Sequence, residues 1–430
     1  MKRALVLAGG GSKGAYHIGV LMAIKECEME FDIITGTSIG ALIGCMTVQG
    51  RADDAIKLWK TLQVTDVIEG GVEVNIHLKE LFERKAELVQ FAKNSLKEKR
   101  VNIDPLIQMI WREADYDQFM ASKIDFGLVT YNVTKNQAVY VTKKDLTRDN
   151  LPHYLLASAS CFPVFPLCNF NGENFVDGGY ADNCPVELAM QMGAEEYVIV
   201  DLDPKDTHPE FYGRPDMIRI APYQEIGSWL DFSRECLDER ICLGYLDGMK
   251  AFGKLEGVQL TFLPDSIGPG LIERFYHCLL GWEMELNRGT FKKGLTLFSS
   301  QPCTSYLTEY QKKTLQTKKE YSIAALDCLG ELFFGRSTDI HQGSEIVSSC
   351  TQYYNNHISE LETMIHEVIS AKISVLAKLV SKFNSKDLVC IFCWLLQARS
   401  YKNTLLVLMT LFSKEFSVAL FLFCGLEENE

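Results

Sequence analysis

The sequence predicts a three-layer α/β fold on a mostly parallel central sheet, with a helical cap insertion and a helical C-terminal extension. Three observations predict it. The first 50 residues alternate strand and helix signals, glycine-rich turns follow each of the first two strands, and strands return after a charged helical stretch. Short continuous apolar runs alternating with helical segments are the pattern of βαβ units, whose strands are covered on both faces.

Ala4 to Ala8 reads as a buried strand, Ala15 to Glu26 as a helix, Phe31 to Thr35 as a second strand, and a helix starts at Ile39. From about Ala52 to Tyr116 the reading is helical. Its charged stretches, such as Leu96-Lys97-Glu98-Lys99-Arg100, belong on solvated faces, which makes residues 52–120 a helical insertion. Strands resume at Ile124 to Tyr131 and Ala138 to Thr142, joined by a turn at Lys135-Asn136, and again at Tyr197 to Leu202. Beyond about Leu271 the glycine-punctuated rhythm fades, so a boundary is expected near 270, dividing the chain into 1–270 and 271–430.

In the second part, Ile358, Leu361, Ile365, Val368, Ile369, Ile373, Leu376, Leu379 and Val380 recur at three- and four-residue steps. This predicts one amphipathic helix from Ile358 to Val380 with a single apolar stripe. Three apolar runs follow, Leu388 to Leu396, Thr404 to Phe412 and Phe416 to Leu426. None reaches the roughly 18 uninterrupted residues of a membrane span. Packed helices, a membrane-surface contact and a homo-oligomer contact are all compatible with them.

Composition narrows the function. The chain has 430 residues, 47% hydrophobic and 23% charged, ordinary values for a folded protein. Its net charge of -13 works against sequence-independent binding to nucleic acid. The apolar stretch at the N-terminus is one strand long and too short for the core of a signal peptide. Fourteen cysteines, many inside apolar runs, read as reduced buried thiols of a cytoplasmic protein. Cys390 and Cys393 form a CxxC, but their surroundings are apolar and no second pair accompanies them, so they read as core. Calcium loops of the D-x-[DN]-x-[DN]-G kind are absent, and no metal or cofactor is expected.

The chemistry-bearing signal is Gly36-Thr37-Ser38-Ile39-Gly40, a G-x-S-x-G between a strand and a helix. A serine on such a sharp turn sits in strained backbone, and small flanking residues keep it clear of the neighbouring strand and helix. The helix N-terminus at Ile39 adds N–H groups that favour a developing oxyanion. Alone, the pattern is equally met by a tight glycine turn holding an incidental serine. The ordinary α/β-hydrolase topology is excluded, because only one strand precedes the strand of Ser38. A second loop, Gly9-Gly10-Gly11-Ser12-Lys13-Gly14, follows the first strand and should bring backbone N–H groups to the same sheet edge.

Gly9, Gly11 and Gly14 also satisfy G-x-G-x-x-G. A dinucleotide site needs an acidic residue at the end of the second strand, whereas that strand here runs into Thr35-Gly36-Thr37-Ser38. A Walker A loop fails because Lys13 is followed by Gly14. A serine nucleophile needs a base. None of the eight histidines has a local signature, His17 included. A carboxylate is the other option: Asp177 ends the short apolar strand Asn174-Phe175-Val176, ahead of Gly178 and Gly179, although by itself this reads as a hairpin turn.

Together GGGSKG, GTSIG and DGG resemble the patatin-like phospholipases, in which a serine and an aspartate act as a dyad without histidine. Ala157-Ser158-Ala159-Ser160 with Phe162-Pro163 and Phe165-Pro166, and Asp182-Asn183-Cys184-Pro185-Val186 with Gly193-Ala194, extend the resemblance over roughly residues 1–260. Cys184 departs from it, standing where the family often has Asn.

The resemblance implies a patatin-like fold, with Ser38 as nucleophile and Asp177 as proton acceptor. It further implies an oxyanion hole from Gly9, Gly10, Gly11 and Ile39, motif glycines at Gly14, Gly36, Gly40, Gly178 and Gly179, and Lys13 as a substrate electrostatic contact. The implied partners are a phospholipid or other acyl lipid and, transiently, a membrane surface. Two rivals stand beside a constitutive acyl hydrolase: gating by a ligand or partner through the C-terminal region, and a non-enzymatic lipid-binding protein.

Overall fold

A computed structural model describes residues 1–70, 101–205, 208–211, 213–288, 301–312, 315–370, 380 and 382–426. Two compact units divide between Phe252 and Gly253. The division therefore comes before the boundary expected near 270.

The first unit is an α/β unit. Its strands are β1 (Arg3–Leu7), β2 (Ile33–Thr37), β3 (Asp125–Asn132), β4 (Gln137–Thr142), β5 (Cys168–Phe170), β6 (Glu173–Asp177), β7 (Glu196–Val200) and β8 (Met217–Ile220). They form one sheet in the order β5-β6-β3-β2-β1-β7-β8, with β4 beside β3. Pairing is parallel from β3 through β8 and antiparallel where β4, β5 and β6 join. The second strand starts and ends two residues later than the sequence suggested, because Phe31 and Asp32 only lead in and the strand continues through Gly36 and Thr37.

The helices are α1 (Gly14–Glu26), α2 (Ile39–Val48), α3 (Ala52–Trp59), α4 (Asp104–Glu113), α5 (Tyr116–Ala121), α6 (Leu151–Ser158), α7 (Val186–Gln191) and α8 (Arg234–Ala251). Side chains alternate between the two faces of a strand. Accordingly Ile34, Phe126 and Leu7 meet α2 at Gly44, while Gly127 meets Leu188 of α7. The sheet is thus a buried middle layer. Of the expected insertion, α3, α4 and α5 are described, and residues 71–100, including the charged stretch at 96–100, lie outside the described residues.

Helix α8 belongs to this unit because it lies against α1 at backbone distance. A Cβ on Gly19 would sit 2.0 Å from the carbonyl oxygen of Ile241, and one on Gly244 would sit 2.1 Å from that of Tyr16. Only hydrogen fits between such close helices.

The second unit is helical: α9 (Pro269–Asn287), α10 (Pro302–Gln311), α11 (Lys318–Phe334), α12 (Gly343–His357), α13 (Glu362–Ser370), α14 (Ser385–Ala398), α15 (Lys402–Leu411) and α16 (Ser413–Leu426), with the short strands β9 (Thr261–Phe262) and β10 (Ile340–His341). The amphipathic helix expected from Ile358 to Val380 does not start as one. Ile358–Leu361 is a 3-10 turn, α13 follows, and 371–379 lies outside the described residues. Ile365 and Val368 are buried as the stripe requires.

The three apolar runs are α14, α15 and α16. Every residue from Phe416 to Leu426 is buried, and α16 packs against α9, α10, α11, α12, α14 and α15. A helix apolar all round belongs at the centre of a bundle. Among the described residues none of the large exposed apolar side chains lies on α14, α15 or α16. The packed-helix reading is the one observed, and no described helix is long and apolar enough to cross a membrane.

The α1–α8 crossing gives a first prediction. Gly244→Ala should destabilise the α/β unit by about 1–3 kcal/mol, as overpacking does. Gly281→Ala, in α9 with nothing within 4 Å of its Cβ position, should be neutral or stabilising by about 0.5–1 kcal/mol. Thermal unfolding of the two variants checks this, and equal shifts would show that the crossing tolerates the methyl group.

Candidate active site

The site forms where two strands end on one edge of β3. Residues Asp125 to Val129 pair with β2, the last pair being Thr37 with Val129. The next residue, Thr130, pairs with Asp177 of the antiparallel β6. The opposite edge of β3 is occupied by β4 over the same stretch. So β2 and β6 arrive from opposite directions and stop against each other, and Ser38 and Asp177 stand at the two ends.

Two glycines make this junction sterically possible. A Cβ on Gly178 would lie 2.2 Å from the Val129 carbonyl oxygen, and one on Gly40 would lie 2.2 Å from that of Leu7. Ser38 itself has φ 55° and ψ -124°, a region that side chains seldom occupy. Strained backbone was the expectation for a serine on this turn, and the structure has it.

Hydrogen bonds fix both ends. The Ser38 backbone N–H donates to Ser158 Oγ at 2.9 Å, and that hydroxyl donates to the Val129 carbonyl at 2.7 Å. The Asp177 N–H donates to the Ser160 carbonyl at 2.9 Å. One short segment at the end of α6 therefore fastens both strand ends. The Ser38 hydroxyl lies near enough to the Asp177 carboxyl to pull its pKa down. Gly179 N–H donates to Asp177 Oδ1 at 2.8 Å.

Asp177 is 1% exposed and Ser38 9%. Burial pushes the Asp177 carboxyl up to about 7, against the opposing pull of the Ser38 hydroxyl and the Gly179 N–H. An aspartate of ordinary acidity is a poor base at neutral pH. This one is matched to it. Two other residues able to act as bases are elsewhere: burial takes the His17 imidazole down to about 3, so it is neutral, and the Asp182 carboxylate accepts from the Cys184 N–H at 3.1 Å. Neither lines the cleft.

An apolar cleft opens at Ser38, enclosing about 1040 Å³ including its mouth. Its walls are α2 (Leu42, Ile43, Met46), the cap (Trp59, Leu106, Ile110) and Phe165 with Trp229. Gly10, Gly11 and Ile39 line it beside Ser38. Their N–H groups make no hydrogen bond among the described residues.

Two of the implied roles change. The Gly9 N–H donates to the Asn183 carbonyl at 2.9 Å, so it is engaged in holding the loop after DGG and is not free for an oxyanion. Lys13 Nζ pairs with Glu225 at 3.2 Å and is not among the residues that line the cleft. Gly14, Gly36 and Gly179 fall at the α1 start, in β2 and beside Asp177, as positions around the site. Cys390 and Cys393 are buried free thiols, and among the described residues no cluster of metal-ligating side chains occurs. Trp229 lines the cleft and lies in no pattern that the sequence marks, whereas Asn183, also cleft-lining, was marked only as part of the stretch after DGG.

Residues 5–190 match the sequence model of the family described as Patatin-like phospholipase. Patatin-like phospholipase domain-containing protein 6 of Homo sapiens is 30% identical over 209 residues, 47% of this chain and 13% of that protein. Lysophospholipase nte1 of Aspergillus fumigatus is 28% identical over 215 residues, 49% of this chain and 12% of that protein. The chain thus spans a small part of the length of the relatives it matches. The crystal structure of VipD from Legionella pneumophila aligns with a TM-score of 0.39 at 13% identity, covering 99% of this chain and 91% of that chain, a likeness too loose to argue from.

Two stability predictions follow from the junction. Ser158→Ala leaves the Ser38 N–H and the Val129 carbonyl unpaired in the interior and should cost about 2–4 kcal/mol in urea unfolding. Ser160→Ala removes only a bond back to Leu156 and should cost less than about 1 kcal/mol. For Asp177 the folded pKa is raised above the unfolded one. Its stabilising contribution is therefore complete at acid pH and is lost as pH rises towards about 7. The thermal midpoint of Asp177→Asn should gain on that of the wild type between pH 4 and 8, and a constant difference would show that Asp177 is not held protonated.

Proposed function

We propose, for a chain whose residues 5–190 are a patatin-like phospholipase domain, that it hydrolyses fatty acyl esters of phospholipids or similar lipids through a Ser38–Asp177 dyad. What supports this reading is the placement of Ser38 and a buried carboxyl of near-neutral pKa together at adjoining strand ends, both lining one apolar cleft.

In the first half-reaction Ser38 Oγ attacks the acyl carbonyl carbon while its proton passes to Asp177. The N–H groups of Gly10, Gly11 and Ile39 receive the developing oxyanion. Collapse of the tetrahedral intermediate breaks the ester bond, and the departing alkoxide takes the proton from Asp177. Water then attacks the acyl-enzyme, giving its proton to Asp177, and the released Ser38 oxygen recovers it. Asp177 passes on each proton it accepts, the first to the departing alcohol and the second, taken from water, to Ser38.

The acyl chain occupies the apolar cleft along α2, and the head group remains at the mouth. Such a substrate is taken from a membrane surface or micelle by transient contact. Gating by the helical unit and a purely lipid-binding role are the rival readings, and the intact dyad disfavours the second.

Ser38→Ala should abolish hydrolysis of phospholipid vesicles and the covalent labelling by a fluorophosphonate. Asp177→Asn keeps the turn geometry and should fold, while hydrolysis falls at least about 100-fold, as loss of general-base assistance implies. A folded Asp177→Asn chain that keeps more than about a tenth of the wild-type rate eliminates the dyad.

A further inference from the structure

Arg240, on α8 and beyond the residues that match the family, is 1% exposed. Taking a guanidinium out of water costs several kcal/mol unless its donors are met. Its hydrogen bonds go to neutral oxygens: Nε to the Ile226 carbonyl at 2.8 Å, Nη1 to the Asp231 carbonyl at 3.1 Å and to Ser12 Oγ at 2.9 Å, and Nη2 to the Ser228 carbonyl at 2.8 Å. Burial lowers its pKa. The guanidinium gathers the loop from Ile226 to Asp231 around itself and reaches the glycine-rich loop after β1 in the same plane.

That second contact is reinforced on every side of Ser12. Its N–H donates to the Trp229 carbonyl at 2.7 Å, and its hydroxyl donates to the Ser228 carbonyl at 3.3 Å. Gly11, with φ 57°, touches the same backbone so closely that a Cβ would be 2.5 Å from the Trp229 oxygen. The peptide that follows Gly11 is thus held by its N–H and by the serine side chain, both on a loop that Arg240 organises. Gly10 and Gly11, immediately before it, line the cleft beside Ser38.

We infer that Arg240 is a positioning residue for the oxyanion donors, acting through Ser12 and the Ser228-Trp229 backbone. Arginine suits this task because its rigid fork reaches several acceptors at fixed angles, which a single ammonium cannot do. The inference rests on the hydrolase reading above.

The test uses the full chain with Arg240→Gln and Ser12→Ala, alone and together. Active sites are titrated with a fluorophosphonate, and turnover is measured on a p-nitrophenyl ester of a long-chain fatty acid. Misplacing an oxyanion donor should lower kcat per titrated site about 10- to 100-fold, with KM within about twofold. The double variant should be no slower than the slower single one, since both break one connection.

A loss confined to the fraction of titratable sites would show that Arg240 only holds the fold and would overturn the inference. Unchanged kcat per titrated site in Ser12→Ala would also overturn it, and this variant decides the matter where Arg240→Gln does not fold. A wild-type chain that labels at Ser38 but turns over no ester contradicts the hydrolase reading and removes this inference with it.

Discussion

The edge of β3 can be shared by two strands only if both stop at the same point, and this constraint organises the rest of the site. Thr37 pairs with Val129 and Asp177 with the next residue, Thr130, so the last residues of β2 and β6 are neighbours although about 140 residues separate them in sequence. A slip of one residue in the β6 register would turn Asp177 to the other face of the sheet, and a slip in the β2 register would carry Ser38 away from it. The strained turn at Ser38, the glycine after Asp177 and the hydroxyl of Ser158 wedged between the strand ends are consequences of bringing two chain ends to one place.

The same junction determines the electrostatics. A carboxylate at the inner end of a buried strand loses its water, and here the Ser38 hydroxyl and the Gly179 N–H offset only part of that loss. Burial therefore raises the carboxyl to about 7 without any charged neighbour driving it. The position of the carboxyl alone brings it into this range. The cost appears as stability lost at neutral pH, an instance of function drawing on the stability of the fold.

Much of this was legible in the sequence because the features are local. Gly36-Thr37-Ser38-Ile39-Gly40 encodes its own turn, and Asp177-Gly178-Gly179 encodes a strand end that must pass close to another backbone. The alternation of apolar runs fixed the layers before any contact was known. What was not legible depends on partners distant in sequence. The Gly9 amide looked available until the Asn183 carbonyl was seen to take it. Lys13 looked like a substrate contact, yet Glu225 folds over to pair with it. Arg240 and Trp229 sit in segments without any pattern, since a lone arginine in a helix reads as a surface residue. Periodicity also misled over Ile358–Leu361, where the apolar spacing continues through a 3-10 turn that side-chain pattern alone does not register.

The central claim is that Asp177 is the buried base that takes the Ser38 proton, and the pH dependence of the Ser38 labelling rate tests it most directly. The second-order rate with a fluorophosphonate should rise with pH along a single ionisation near 7, because Asp177 must lose its own proton before it can accept another. In Asp177→Asn that rise should vanish and the remaining rate should be low. A rise near pH 7 that survives in Asp177→Asn, or a wild-type rate that does not change between pH 5 and 9, would contradict the account.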